Sequence, residues 1–307
     1  MGFFDIFKKK KSDELSEELV NHKTLKSDEV EKDLAEKALK IIASDTETPC
    51  VRLTLTKTKP TVFESKVGGL GYIPHDGNFP ADSKGNQLRL LAQLDCSQVK
   101  LEEFPKRGLL QFWISDDDCW GLEFENSTVH DCHRVIYYPD TDKSVTEEEI
   151  KSKIIPNEYE ADSGENYMPV NGEYGLQFEY SKESLSDNDC RFRLKFCDAY
   201  NSFNPPKTIE SPYDLNTDIG ELESFEKLGE TAFGHKIGGY PGFTQEDPRD
   251  EYSPCDFLLL QLDSEFGEGE DKIMWGDAGI CNFFINREKL KNLDFSEVMY
   301  NLSLIHI

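Results

Sequence analysis

A short pattern occurs twice in this chain: a basic residue, a β-branched residue and two glycines, then a leucine-rich run closing on Gln-Leu-Asp. The first copy is Lys66-Val67-Gly68-Gly69 with Leu90-Leu91-Ala92-Gln93-Leu94-Asp95; the second is Lys236-Ile237-Gly238-Gly239 with Leu259-Leu260-Gln261-Leu262-Asp263. From lysine to glutamine the spacing is 27 positions in one copy and 25 in the other. The copies lie about 170 positions apart, beyond the roughly 20 to 50 residues of a solenoid unit, so the pattern predicts two similar half-domains.

Each piece has a local meaning. A Gly-Gly pair after a β-branched residue suggests a strand leaving into a turn where positive φ or close backbone approach excludes a Cβ. A short continuous leucine run suits a strand buried on both faces. At a period of two, Leu91, Gln93 and Asp95 share one face, as do Leu259, Gln261 and Asp263.

Two readings of the repeated polar residues follow. In one, Gln93 and Asp95 meet Gln261 and Asp263 across a groove between the halves, walled by Trp113 and Trp275, and the converging carboxylates divide into acid and base. In the other, which we favour, each aspartate caps its own Gly-Gly turn or pairs with Lys66 or Lys236. Arg249, in Gln245-Glu246-Asp247-Pro248-Arg249, has no counterpart in the first copy. Its guanidinium suits carboxylate or phosphate recognition, or an ion pair with Asp247, Asp250 or Glu251.

These two runs, together with Gly238-Gly239-Tyr240-Pro241-Gly242-Phe243-Thr244-Gln245-Glu246-Asp247-Pro248-Arg249 and Trp275-Gly276-Asp277-Ala278-Gly279, resemble the YwqG-like family of bacterial proteins of uncharacterised function. The resemblance extends from about Val51 to about Asn301. It implies an internally duplicated α+β domain and brings no catalytic residues with it.

The charge balance bears on partners. Sixty acidic residues against 34 basic ones, a formal net charge of −26, would repel phosphate backbones, so nucleic acid is not an expected partner. Such a surface suits a basic protein partner drawn in by electrostatic steering, or simply keeps the chain dissolved. The eight cysteines form no Cys-x-x-Cys pair and follow no secretion signal, which points to reduced thiols in the cytoplasm. No apolar run is long enough for a transmembrane helix; the start, with Phe3, Phe4, Ile6 and Phe7 beside Lys8 to Lys11, allows weak contact with an anionic membrane surface.

Along the chain, residues 1–48 read as a leader and helices, with Leu15 and Leu19 on a first helix and Val30, Leu34, Ala38 and Ile41 on a second, capped by Ser27. Residues 49–301 read as the duplicated domain, with halves at 49–150 and 171–301. Strands are expected at Val51–Thr56, Leu109–Ile114, Gly121–Phe124, Arg134–Tyr138, Tyr174–Tyr180, Arg191–Phe196, Lys272–Trp275 and Ile280–Ile285, and helices at Thr146–Ile154 and Asp218–Leu228. Residues 302–307 read as a non-native tail. The fold class expected is α+β, internally duplicated, with mostly antiparallel sheets and an N-terminal helical segment.

The motifs that usually disclose an enzyme are missing: no phosphate-cradling glycine loop, no His-Glu-x-x-His, no Gly-x-Ser-x-Gly. Asp116-Asp117-Asp118 lacks the spacing of a calcium loop and reads as a hairpin turn. His130-Asp131-Cys132-His133, with Cys119 upstream, is the densest run of metal-type ligands, yet a strand would split its members between two faces. Neither a metal nor a cofactor is expected. The sequence thus favours a binding protein that engages a basic partner, with an enzyme or small-ligand binder using the inter-repeat groove as the alternative; it is silent on oligomeric state.

Overall fold

The computed structural model describes residues 28–124, 127–155 and 167–304. The expectations placed on the first 27 residues lie outside that range. Helix α1 (28–45) precedes β1 (Thr48–Thr56), β2 (Lys66–Gly68), β3 (Arg89–Asp95), β4 (Leu109–Ile114), β5 (His133–Tyr138), α2 (Glu147–Ser152) and β6 (Glu173–Glu183). Then follow α3 (Phe192–Asn201), α4 (Glu223–Gly229), β7 (Lys236–Gly238), β8 (Phe257–Asp263), β9 (Ile280–Ile285), α5 (Arg287–Lys291) and β10 (Val298–Ser303). The fold is α+β.

The chain divides into two compact units. The described part of the smaller comprises 28–46, Ser184–Asp187 and Arg191–Glu230. Within it α1 buries Ala35, Ala38, Leu39 and Ile42, a stripe of helical period rotated by one residue from the expected one, with Val30 exposed. The segment from Arg191 to Phe196, expected as a strand, begins α3 instead. Alternation of basic and apolar residues over six positions fits either period; what decides is Phe192, Phe196 and Tyr200 at i, i+4 and i+8, stacked in sequence with centroids 5.9 and 6.3 Å apart. Phe225 of α4 meets Phe192 edge-on.

The larger unit carries a ten-stranded sheet in the order β10-β9-β8-β7-β1-β6-β2-β3-β4-β5. Every ladder in it is antiparallel. One face forms a single core, in which Leu110, Phe112 and Ile114 of β4 join Cys281, Phe283 and Ile285 of β9, and the Phe112 and Phe283 rings touch at 5.0 Å. The sheet curls until its edges nearly close: His133 of β5 lies 3.2 Å from the Val298 carbonyl of β10, and Tyr300 N–H donates to the Ser127 carbonyl. Near-closure limits the exposed strand edge that invites pairing with other chains.

Both leucine-rich runs carry a β-bulge, between Leu90 and Ala92 and between Leu258 and Leu260. The bulge overrides the period of two. Leu91 joins Ala92 and Leu94 in the core, while Leu90 turns to the opposite face, where Gln93 finds its partners; Leu259 joins Leu260 and Leu262, while Leu258 turns to the face of Gln261. Leu91 and Gln93 therefore do not share a face, contrary to simple alternation.

Two other expected strands do not form. Trp120 and Gly121 have φ of 50° and 76°, which ends extended backbone before Phe124, and in Lys272–Trp275 Ile273 alone makes isolated bridges, to Val170 and Glu265. Conversely, Leu302 and Ser303, read as part of a foreign tail, belong to β10 and pair with Cys281 and Ile280.

Candidate functional site

The repeated lysines are interior. Lys66 pairs in the ladder with Gln93, and Lys236 with Gln261. Lys66 Nζ donates to Glu173 Oε1 at 2.7 Å and to the carbonyls of Leu70 and Pro60 at 3.0 and 3.3 Å. Lys236 Nζ donates to Glu183 Oε1 and the Thr231 carbonyl, both at 2.9 Å. Burial pushes the Lys236 pKa down to about 8, with the Glu183 carboxylate pulling the other way. Both glutamates come from β6, one at each of its ends.

The glycine pairs explain themselves here. Gly68, Gly69, Gly238 and Gly239 all have φ near 70°. A Cβ on Gly69 would fall on the Glu173 carboxylate, and one on Gly239 on that of Glu183. Lysine, glycine and glutamate thus interlock at each of the two runs, with Glu183 buried and Glu173 partly exposed. Pairing with Asp95 and Asp263 is one of two structural options the sequence leaves open; the carboxylates these lysines meet are Glu173 and Glu183, which no local spacing announces.

Gln93 and Gln261 are fully buried and do equivalent work. Gln93 Oε1 accepts from Tyr72 N–H and its Nε2 donates to the carbonyls of Val62 and Glu64. Gln261 Oε1 accepts from Gly242 N–H and its Nε2 donates to the carbonyls of Ala232 and Gly234. Each amide pins the loop over its own half, the two share no partner, and the apolar clusters beside them are separate. Asp95 caps the short turn after β3, accepting from Ser97 N–H and Oγ, and Asp263 accepts from Gly234 N–H. The two aspartates have no hydrogen-bond partner in common.

Trp113 and Trp275 are buried but not equivalent. Trp113 stands opposite Leu90 in the ladder, the place that Phe284 takes opposite Leu258. Its Nε1 donates to Gln111 Oε1, while Trp275 lies between β8 and β9, edge-on to Trp120 at 6.2 Å. Arg249 is buried: its guanidinium donates to Asp247 from Nε and Nη2, to Asp189 Oδ2 at 3.1 Å and to the Cys255 carbonyl, and lies 4.0 Å over the Phe284 ring. Burial lowers its pKa, yet the Asp247 bond and charge outweigh this and raise it, so the cation persists. Asp189, Cys190 and Asp247 cluster as metal ligands do, but a guanidinium already stands among them.

The histidine run is split. Val298 N–H donates to His130 Nε2 at 3.0 Å, and His133 Nε2 donates to the Val298 carbonyl. The two histidines thus hold both polar groups of one β10 residue. Burial pushes His133 down to about 4 and lowers His130 as well. Cys132 lies instead with Glu123 and Asp131, where burial and then Glu123 push its thiol up to about 12. Asp117 closes the acidic turn by accepting from the N–H groups of Cys119 and Gly121.

One open groove of about 460 Å³ lies on the larger unit, bounded by Pro49 of β1, Tyr180 of β6 and the segment from Cys96 to Lys106. Sequence reasoning missed it, because its walls come from three separated stretches.

These features define an antiparallel α+β protein in which the repeated polar residues bind the scaffold together. Residues 65–303 match the domain of unknown function DUF1963, and the chain belongs to that family. No curated relative matches the chain. No helix among the described residues is long and apolar enough to cross a membrane.

Proposed function

We propose that this protein acts by binding and not by catalysis, engaging a basic protein partner through its acidic surface. The observation that carries the reading is the use made of the seven residues singled out for chemistry. Gln93, Asp95, Trp113, Arg249, Gln261 and Asp263 spend their polar groups inside the fold, and Trp275 is buried in the core. What remains for a partner is the surface of a chain that carries 60 acidic residues against 34 basic.

Within its family the chain sits best with the YwqG-like bacterial proteins, and its halves are best read as copies. Support for duplication comes from matched lysine–glutamine ladder pairs, matched bulges and matched glycine conformations. The eight cysteines, all free, fit a reducing cytoplasm.

A partner recovered with the full chain should be basic and should be released as salt rises past physiological strength, since exposed charges are screened over about 8 Å at 0.15 M. Recovery of acidic partners, or retention indifferent to salt, would sink this reading.

A further inference from the structure

We propose that the groove beside Tyr180 is a binding site for a small aromatic carboxylate, a function separate from the acidic surface. Its volume of about 460 Å³ lies in the range of small-molecule sites, about 300 to 1,000 Å³.

The lining is chemically mixed. In the β1–β6 ladder Val51 faces Tyr180, Leu53 faces Phe178 and Leu55 faces Leu176. Five of these six pack into or against the core; Tyr180, at the end of the row, is 57% exposed and lines the groove. Val99 and Leu101, each 2% exposed, also belong to the lining. A flat apolar body laid on Tyr180 would cover surface that the fold leaves in water.

Two of the lining residues, Lys100 and Lys106, are cationic, in a chain that is otherwise strongly acidic. Lys106 Nζ donates to the carbonyls of Leu101 and Glu102, which fixes that ammonium at the rim. Lys100 also lines the groove and makes no hydrogen bond or ion pair among the described residues. Two ammonium groups against the one carboxylate of Glu102 favour a ligand with a single negative head. The thiol in its lining stays protonated, because burial and the charge of Asp95 push Cys96 up to about 12.

The test is a titration of the isotope-labelled full chain with sodium 4-phenylbutyrate, followed by amide NMR shifts, with 4-phenylbutan-1-ol as the neutral analogue. Saturable shifts are expected at Val99, Lys100 and Tyr180, with the alcohol binding about tenfold more weakly. Lys100→Glu should weaken the carboxylate about tenfold and leave the alcohol unchanged, whereas Tyr180→Ala should weaken both. Both side chains are exposed, so an unchanged melting temperature checks that the variants stay folded. Absence of saturable shifts up to about 10 mM, or carboxylate binding indifferent to Lys100→Glu, would overturn the proposal. No protein partner is involved, so the result stands apart from the test of the acidic surface.

Discussion

Lys236 donates to Glu183 at 2.9 Å with both side chains out of water, and Glu183 also accepts from Arg52 Nη2 and from Tyr240 N–H. At the other end of β6, Glu173 serves Lys66 with its side chain 21% exposed. Removing one partner of a buried pair leaves the other charge unpaired, at about 3–5 kcal/mol. Glu183→Ala should therefore lose stability in that range, and Glu173→Ala distinctly less, because the Glu173 carboxylate is already partly in water and Lys66 keeps the Leu70 and Pro60 carbonyls as acceptors. Urea unfolding midpoints check this; equal losses would contradict the asymmetry.

Gly239 and Gly85 both have positive φ, but a Cβ on Gly85 meets nothing within 4 Å, while one on Gly239 meets the Glu183 carboxylate. Gly85→Ala should cost only the left-handed backbone term of about 1–2 kcal/mol. Gly239→Ala should cost clearly more, since the carboxylate must leave the lysine to make room. Comparable losses at the two sites would mean that backbone conformation alone explains the second glycine of the motif.

Acid should loosen the seam between β5 and β10. His133 titrates near 4 in the folded chain and near 6.5 unfolded, so between those values the unfolded state binds more protons and stability falls as pH falls. The shift is worth about 3 kcal/mol, complete by about pH 4. His130 is lowered too, by burial first; Arg134 adds to the effect on both rings, and Glu297 opposes it at His130. His133→Gln should flatten the stability profile between pH 6.5 and 4. A profile as steep as that of the parent would remove the seam from the explanation.

Much of the sheet was legible in sequence because its strands are short apolar runs bounded by Gly, Pro and Asp, as at Leu109–Ile114 and Ile280–Ile285. Gly68-Gly69 and Gly238-Gly239 were readable as positive-φ turns. The facing of Leu91 and Leu259 was not, because a bulge inserts a residue without any compositional mark. Nor were the partners of the lysines: Glu173 lies 107 residues from Lys66, and Glu183 lies 53 from Lys236. Arg249 showed its pairing with Asp247 through closeness in sequence, whereas Asp189, 60 residues away, needed the fold.

The central claim, that the repeated polar residues hold the scaffold and do not form a reaction site, is tested most directly by the urea unfolding midpoint of Gln261→Met. The substitution keeps the volume and removes the amide, leaving Gly242 N–H and the Ala232 and Gly234 carbonyls unpaired in the interior. Each buried group left so costs roughly 1–3 kcal/mol, and the midpoint should drop accordingly. A midpoint equal to or above that of the parent would contradict the account, because a polar side chain whose loss stabilises the fold is one kept for function.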